Sequence, residues 1–190
     1  MLFKGLSLFR LTEDIEIKPF TSSDVALNDF LMHDAKAYAH EFLATTYIIE
    51  TEERTLAYFS VLNDSFRIED LELTSKNAKK KWLQKTLPHP KRHLIHFPAM
   101  KIGRLAVCER AAGAGLGTDV MGWIKNFALE SNKHSACKFI TVDAYNTSRV
   151  FYEKMDFSYF SEMDAGKFSR KMYFPLTPTA RFTFNRFASK

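Results

Sequence analysis

Glycines at every second position mark the part of this chain that is best suited to chemistry. They lie in the stretch Leu105-Ala106-Val107-Cys108-Glu109-Arg110-Ala111-Ala112-Gly113-Ala114-Gly115-Leu116-Gly117-Thr118. Glycine lets the backbone turn its N–H groups toward one point, and the start of the helix that follows carries a partial positive charge. The pattern therefore predicts a strand-to-helix turn that binds an anionic phosphate group.

Two common phosphate-binding motifs do not fit this turn. A dinucleotide-binding fold needs G-x-G-x-x-G, and the sixth position counted from Gly113 is Thr118. A P-loop needs lysine after its last glycine, but Thr118 or Trp123 stands at that place. These two classes of nucleotide site are excluded, and a tight turn with only a structural role remains as an alternative.

A second informative stretch follows the predicted strand 139–144. It reads Asn146-Thr147-Ser148-Arg149-Val150-Phe151-Tyr152-Glu153-Lys154-Met155-Asp156-Phe157. Asn146 is a predicted N-cap, and the apolar residues after it predict a helix. Strand, helix, strand and helix in about 55 residues predict two parallel strands joined by a right-handed crossover.

Together the two stretches resemble the GNAT acetyltransferase superfamily, from about Ile15 to Leu176. The resemblance implies an α/β (α+β) fold: a mixed, mostly antiparallel sheet with a splayed parallel pair, flanked by helices on both faces. It implies a single GNAT domain over residues 1–178, with an insertion at about 63–98 and a C-terminal tail at 179–190.

The resemblance also implies that acetyl-CoA is the co-substrate. It would lie in the splay between the strands that end at Val107 and Ala144, and its pantetheine arm would pair with residues 105–107. The residues that the resemblance assigns to acetyl-CoA binding are Leu105, Ala106, Val107, Ala112, Gly113, Ala114, Gly115, Leu116, Gly117, Thr118, Asn146 and Tyr152.

The glycine turn departs from the family pattern at one position. Aligning Gly115 and Gly117 with the family's motif places Ala112 where Arg or Gln is usual. A second register uses Arg110, Gly113 and Gly115. The first register is preferred, and it leaves the pyrophosphate to the backbone N–H groups of residues 113–118 and the Thr118 hydroxyl, so cofactor affinity falls unless Arg110 reaches over.

A second departure is Asp156, which stands where the family has glycine before Phe157. Aspartate tolerates the left-handed backbone conformation better than most residues do. This change therefore puts little of the resemblance in doubt.

The resemblance gives Tyr152 the catalytic role. An amine attacks the thioester, a backbone N–H near Val107 stabilises the oxyanion, and Tyr152 protonates the departing thiolate. Ordinary pKa values of about 8.5 for a thiol and 10 for tyrosine make full proton transfer uphill by about 2 kcal/mol. The alternatives are a hydrogen bond alone, or a tyrosine that only packs on the sheet. Asn146 is equally well explained as an N-cap.

No single residue stands out as the general base. Asp64, Asp143, Glu109 and His96 are conceivable, and each has a structural alternative. A lysine with a pKa of about 10.4 is neutral in roughly one molecule in 2,500 at pH 7, whereas an α-amine with a pKa near 8 is neutral far more often. An enzyme without a dedicated base suits an α-amine acceptor.

The acceptor itself stays open. Residues 20–31, together with Gly103-Arg104-Leu105-Ala106-Val107, resemble a subgroup of bacterial GNAT toxins that acetylate the α-amine of aminoacyl-tRNA. A small-molecule or protein amine is the preferred prediction, and tRNA is the alternative. A catalytically silent module that binds acetyl-CoA or a protein partner is a third possibility, because Ala112 weakens the cofactor site.

The net charge of +5 is concentrated in one segment, residues 76–93. Without this segment, 20 basic residues face 22 acidic ones. Such a basic face fits a tRNA backbone, an acidic protein or simply water. Between residues 76 and 93 there is no acidic residue, and the basic residues are Lys76, Lys79, Lys80, Lys81, Lys85, Lys91 and Arg92.

Other elements follow from the spacing of apolar residues. Residues 15–17 predict a short strand that stops at Pro19. A helix capped within Ser22-Ser23-Asp24 follows to about residue 39. The remaining predicted elements are a hairpin of strands 45–49 and 56–62, a short helix at 76–85, a strand at 100–107, a helix from Leu116 to Ala128, and closing strands at 157–160 and 168–174.

Length and composition point to one globular domain. The chain has 190 residues, 46% of them hydrophobic and 14% aromatic, which excludes intrinsic disorder. No apolar run is long enough for a membrane helix or a signal peptide, so we expect a cytoplasmic protein with no membrane partner. The family resemblance implies that the protein is bacterial. Cys108 and Cys137 are expected to be free thiols, His89, His93 and His96 a surface turn rather than a metal site, and a homodimer is left open.

Overall fold

The computed structural model describes residues 6–73, 75–87 and 95–177. The strands are β1 (Ser7–Arg10), β2 (Thr45–Glu50), β3 (Thr55–Arg67), β4 (His96–Val107), β5 (Phe139–Tyr145), β6 (Ser158–Tyr159) and β7 (Ser169–Pro175). The helices are α1 (Val25–Asp29), α2 (Ala35–His40), α3 (Lys76–Thr86), α4 (Leu116–Ser131) and α5 (Arg149–Lys154), and a π-helical turn, Phe30–Asp34, joins α1 to α2.

The seven strands form one mixed sheet in the order β1-β2-β3-β4-β5-β7-β6. Strand pairs β1/β2, β2/β3, β5/β7 and β6/β7 are antiparallel, and the sheet contains one parallel pair. This arrangement confirms the predicted α/β fold, in which helices flank a mostly antiparallel sheet. Among the described residues, no helix combines the length and the apolar character that crossing a membrane requires.

The described chain divides into two compact units. The first contains residues 6–62 and 102–127, and the second contains 63–73, 75–87, 95–101 and 128–177. In the first unit, α4 packs an apolar stripe inward, since Leu116, Val120 and Ile124 are fully buried. Period-3.6 spacing made this stripe predictable from the sequence.

Aromatic rings hold the same unit together around β2 and β3. Tyr47 stacks on Phe59 at a centroid distance of 5.2 Å, and Trp123 of α4 lies 5.1 Å from Tyr47. The buried Tyr58 lies edge-on to Phe20 at 5.4 Å and donates its hydroxyl hydrogen to the carbonyl of Leu27 at 2.7 Å. These contacts attach the α1 segment to the sheet.

Asp24 is the N-cap of α1. Its carboxylate accepts hydrogen bonds from the N–H groups of Ala26 at 2.9 Å and Leu27 at 3.4 Å. Ser22, another of the predicted capping candidates, instead bonds the side chain of Asn28. The helix predicted to about residue 39 is confirmed, with a π-helical turn inside it that the sequence did not reveal.

We expect Asp24→Ala to lower the free energy of unfolding by about 1 kcal/mol, because the helix loses its side-chain cap. Urea unfolding followed by circular dichroism measures this change. Asp24→Asn keeps an oxygen acceptor and should cost less than half as much. Equal costs for the two variants would contradict the capping role.

The second unit has an aromatic core. Its centre is Phe66, whose ring lies 4.2 Å from that of Phe139 and 4.7 Å from that of Phe160. Phe97, Trp82 and Tyr173 surround these rings. Helix α3 belongs to this core, because Trp82, Leu83 and Leu87 pack against it.

Two local predictions are wrong. The strand predicted at residues 15–17 is absent, and β1 at Ser7–Arg10 pairs with β2 in its place. Asn146 is not a helix N-cap, because α5 begins only at Arg149 and Ser148 occupies the capping position. The insertion predicted at about 63–98 stays a prediction; within that range β3 continues to Arg67 and β4 begins at His96.

The other predicted elements are present. The 45–62 hairpin, the helix at 76–85 and the two closing strands match β2/β3, α3, β6 and β7. Both cysteines are free and buried, as expected. The predicted tail at 179–190 lies outside the described residues.

Candidate functional site

The predicted glycine turn connects β4 to α4 in the first unit. Gly113 and Gly115 have φ angles of +74° and +83°, a conformation that side chains with a Cβ rarely adopt. A Cβ added at Gly113 would meet no atom of the described residues within 4 Å, so the space beside Gly113 is open with respect to them. Gly113 and Gly115 therefore allow a turn that residues with a Cβ would form only with strain. Gly117 lies inside α4.

The start of α4 presents backbone N–H groups that no described residue accepts from. The N–H of Asp119 donates to the carbonyl of Gly115 at 3.2 Å. Within the described ranges, the N–H groups of Leu116, Gly117 and Thr118 have no acceptor. Helix α4 is 16 residues long, so these donors coincide with the positive end of a substantial helix dipole. An anion is the ligand that such an arrangement favours.

Two backbone hydrogen bonds fix the approach to the turn. The N–H of Cys108 donates to the carbonyl of Leu56 at 2.8 Å, and that of Glu109 donates to the carbonyl of Thr21 at 3.0 Å. A short 3₁₀ turn, Glu109–Ala111, then leads into the glycines. Binding through backbone donors requires such anchoring, because the donors must be in place before the ligand arrives.

The side chains of the turn add little positive charge. Ala112 is exposed and carries only a methyl group where the family pattern has Arg or Gln. Arg110, the cation of the alternative register, is also exposed. An anion at this turn would therefore meet mainly backbone N–H groups, and the register that places Ala112 at the family's Arg or Gln position stays a prediction.

Arg104, just before the predicted cofactor strand 105–107, has a partner that sequence reasoning missed. Its guanidinium carbon lies 4.9 Å from the centroid of the Phe30 ring, and it donates to the carbonyl of Gly103 at 2.8 Å. This cation–π contact joins β4 to the π-helical turn. Both residues lie in stretches that carry the family resemblance, but their pairing has no sequence signal.

Tyr152, the predicted proton donor, lies on α5 in the second unit and is buried. Its ring makes edge-on contacts with Phe151 at 5.2 Å and Phe157 at 5.4 Å. No hydrogen bond to its hydroxyl is found in the described part of the chain. Burial raises the pKa of Tyr152 well above its ordinary value. The hydroxyl is therefore protonated at physiological pH, so it can donate a hydrogen bond.

Two further family positions lie beside α5. Asn146 is exposed, and its backbone N–H donates to the carbonyl of Phe168 at 3.1 Å. Asp156 has a φ of +63°, which is the left-handed conformation expected at the position where the family has glycine. The departure at Asp156 is therefore compatible with the backbone.

The four candidate general bases are positioned differently from one another. Asp64 accepts a 2.5 Å hydrogen bond from the hydroxyl of Thr141, and Asp143 forms a 2.6 Å ion pair with Lys101. His96 is exposed and lies 3.3 Å from the hydroxyl of Ser65. Glu109 is exposed in the turn of the first unit. No one residue is singled out, so the base stays unassigned.

A metal centre has no support in the described ranges, where no cluster of His, Cys, Asp and Glu side chains could hold an ion. His89 and His93 lie outside those ranges. The chemistry that the described residues support is anion binding at the start of α4.

Comparison with known proteins identifies solved structures that have a similar fold. No known protein family profile and no curated protein sequence matches this chain. It is similar to the solved structure of AtaT complexed with acetyl-methionyl-tRNAfMet, with a TM-score of 0.71 and 20% identity over 90% of this chain and 94% of that chain. It is similar to a mutant of KacT, with a TM-score of 0.71 and 19% identity over 90% and 95% of the two chains.

A further similar structure is AtaTR bound with acetyl-CoA, with a TM-score of 0.69 and 22% identity over 90% of this chain and 94% of that chain. At these identities the likeness concerns the fold. The chain therefore has the GNAT-like fold that its two motifs predicted, and its structural neighbours include AtaT, which is a toxin.

Proposed function

We propose that this protein is an acetyl-CoA-dependent N-acetyltransferase that acts on a primary amine in a ternary complex. The observation that carries the proposal is the glycine turn, where three N–H groups at the start of α4 lack acceptors among the described residues. A GNAT-like fold with a backbone anion site at this place suits the pyrophosphate of acetyl-CoA. A bacterial cytoplasmic setting is part of the proposal.

The proposed cofactor contacts follow the predicted set. Residues 105–107 would pair with the pantetheine arm, and residues 112–118 would hold the pyrophosphate through backbone N–H groups and the Thr118 hydroxyl. Asn146 and Tyr152 complete the set. The fit rests on the open space beside Gly113 and on the anchoring of the turn by Cys108 and Glu109.

The proposed reaction is direct acetyl transfer. The amine nitrogen attacks the thioester carbonyl, a C–N bond forms, and the C–S bond breaks to release the thiolate. The nitrogen loses a proton to solvent or to a base that stays unassigned. The Tyr152 hydroxyl donates a hydrogen bond to the thiolate sulfur, and because burial raises the pKa of Tyr152, full transfer of its proton to the thiolate is less favourable than for an ordinary tyrosine.

Thermal unfolding with and without 1 mM acetyl-CoA tests the cofactor site. For a micromolar dissociation constant, the ligand should stabilise the protein by about 4 kcal/mol. In Gly115→Glu the shift should disappear, because a carboxylate repels the pyrophosphate. Since Gly115 has a positive φ, Thr118→Glu is the unstrained companion: Thr118 is exposed in the first turn of α4. The acetyl-CoA-induced shift of Thr118→Glu should also be much smaller than that of the native protein.

The matched control is Gly166→Glu. Gly166 is exposed, and a Cβ there meets no atom of the described part of the chain within 4 Å, so the variant adds the same charge without strain. It should keep the full acetyl-CoA shift. Absence of a shift in the native protein would overturn the acetyl-CoA proposal, and a binding protein without this ligand would remain.

A second candidate function is acetylation of aminoacyl-tRNA. It is favoured by the resemblance of residues 20–31 and 103–107 to the toxin subgroup and by the similarity to AtaT complexed with acetyl-methionyl-tRNAfMet. It also suits the lack of an evident base, because an α-amine is neutral more often than a lysine at pH 7.

Transfer of labelled acetyl groups separates the candidate acceptors. Aminoacyl-tRNA, a lysine-containing peptide with a blocked N-terminus, and the same peptide with a free α-amine are compared at pH 7. Labelling of aminoacyl-tRNA alone identifies the toxin-like activity. Labelling of a peptide but not of aminoacyl-tRNA supports a small-molecule or protein acceptor. No labelling of any acceptor supports the silent module.

A further inference from the structure

Helix α3 carries a strongly basic surface on the second unit. Its exposed residues are four lysines and two amides: Lys76, Asn77, Lys80, Lys81, Gln84 and Lys85. Its opposite side packs on the aromatic core through Trp82 and Leu83. The helix is thus attached to the fold by one face and presents only cations and amides on the other.

No acidic side chain compensates this charge. Within the described ranges, none of the α3 lysines forms an ion pair. The sequence has no Asp or Glu between Glu72 and Glu109. Globular proteins ordinarily mix charges of both signs on their surfaces, so a one-sign helix face of this length is unusual.

The charge pattern opposes the stability of the helix itself. Lys76 and Lys80, and likewise Lys81 and Lys85, are like charges four residues apart, which repel each other on a helix. Lys76 and Lys79 also lie in the first turn, where the helix dipole disfavours cations, and that turn has no acidic residue. The lysines are therefore not explained by folding, and a polyanion would relieve their repulsion.

We infer that the exposed face of α3 binds the phosphate backbone of nucleic acid without reading its sequence. Lysine and amide side chains are typical donors to phosphate oxygens. The exposed face has no arginine for bidentate contacts to bases and no aromatic ring for base stacking. It also lacks the apolar and aromatic anchors of protein interfaces, where lysine is depleted. A phosphate backbone is the partner that this composition fits best.

Binding of fluorescent duplexes tests the inference. Duplex RNA and duplex DNA of one sequence are titrated with the full-length protein at salt concentrations from about 50 to 200 mM. The test variant changes Lys76, Lys80, Lys81 and Lys85 to Gln, which keeps helix propensity and removes charge. The control variant has the same net charge as the test variant, because it also changes four lysines to Gln. These lysines are exposed and lie outside α3: Lys133, Lys154, Lys167 and Lys171.

The native protein should bind with a steep salt dependence. The α3 variant should lose at least tenfold in affinity at low salt. Its slope of log K against log salt should be less steep by about 3.6, because each of the four phosphate contacts contributes about 0.9. The control variant should lose less than twofold. The tighter of the two duplexes identifies the natural source of the backbone.

Two outcomes would overturn the inference. Equal losses in the α3 and control variants would mean that only net charge matters. Poly-glutamate that competes as well as the duplexes would mean that an acidic protein is the partner.

A separate measurement tests the repulsion argument. At low salt the α3 variant should unfold at a higher temperature than the native protein, and a lower temperature would show that the lysines serve the fold. The inference does not depend on acetyl transfer, because duplex binding and the acetyl-CoA shift are measured independently and either can fail alone.

Discussion

Tyr152→Phe should lower kcat for acetyl transfer by about 100-fold or more, which is the contribution typical of a positioned proton donor. The substitution removes only the hydroxyl, and the ring keeps its contacts with Phe151 and Phe157. Folding stability should therefore change little, and most of the acetyl-CoA-induced thermal shift should remain, because the proposed cofactor contacts of residues 105–107 and 112–118 are unchanged. Steady-state kinetics with the best amine from the acceptor comparison measures the effect.

The pH profile gives a second reading of the same residue. Because burial raises the pKa of Tyr152, its proton stays in place through the alkaline range in which the protein is assayed. The rate should rise with pH as the amine acceptor becomes neutral, and it should show no fall from loss of the Tyr152 proton below about pH 10, the ordinary tyrosine value.

Tyr47→Phe is the matched control for Tyr152→Phe. It removes a hydroxyl from a half-buried tyrosine that stacks on Phe59 in the first unit, and kcat should stay within twofold of the native value. Native kcat in Tyr152→Phe would show that this tyrosine only packs against its neighbours. The proposed role would then be wrong even if acetyl-CoA binds.

Phe66→Ala should lower the free energy of unfolding by about 3–5 kcal/mol, since truncating a buried phenylalanine leaves a cavity as well as losing apolar burial. Phe66 is 1% exposed and its ring contacts those of Phe139 and Phe160. The free energy of unfolding of a typical domain is only about 5–15 kcal/mol, so the variant should be close to unfolding. Urea unfolding measures the loss.

The control for this prediction is Phe42→Ala, at a side chain that is 93% exposed. It should change stability by no more than about 0.5 kcal/mol. If Phe66→Ala does not fold, Phe66→Leu keeps most of the volume and gives a measurable intermediate value. A loss below about 1 kcal/mol for Phe66→Ala would mean that the aromatic core of the second unit relaxes around the gap.

Several features of this protein could be predicted because they depend on neighbouring residues only. The glycine turn, the apolar stripe of α4 and the left-handed conformation at Asp156 follow from backbone sterics and from the 3.6-residue period. Helix α3 was predicted in the same way. The two motifs also identified the GNAT-like fold, since their order along the chain is specific.

Predictions from the local sequence pattern are wrong where tertiary contacts compete with that pattern. Alternating isoleucines at 15–17 look like a strand, but the edge position beside β2 is taken by Ser7–Arg10, which pairs with Tyr47 to Glu50. An asparagine before a helix looks like a cap, but the bonds of residues 145–148 move the start of α5 to Arg149. Pairing partners and exact helix starts depend on the whole sheet.

Residue types and short spacings by themselves predicted the chemistry proposed for this chain: a backbone anion site at the glycine turn, a tyrosine on α5, and a basic helix without acidic residues. Only the tertiary structure decided which distant residues meet, such as Arg104 with Phe30, Asp64 with Thr141, and Phe66 with Phe139. Local conformation is limited by sterics within a few residues, whereas long-range contacts depend on how the strands pair and how the core packs.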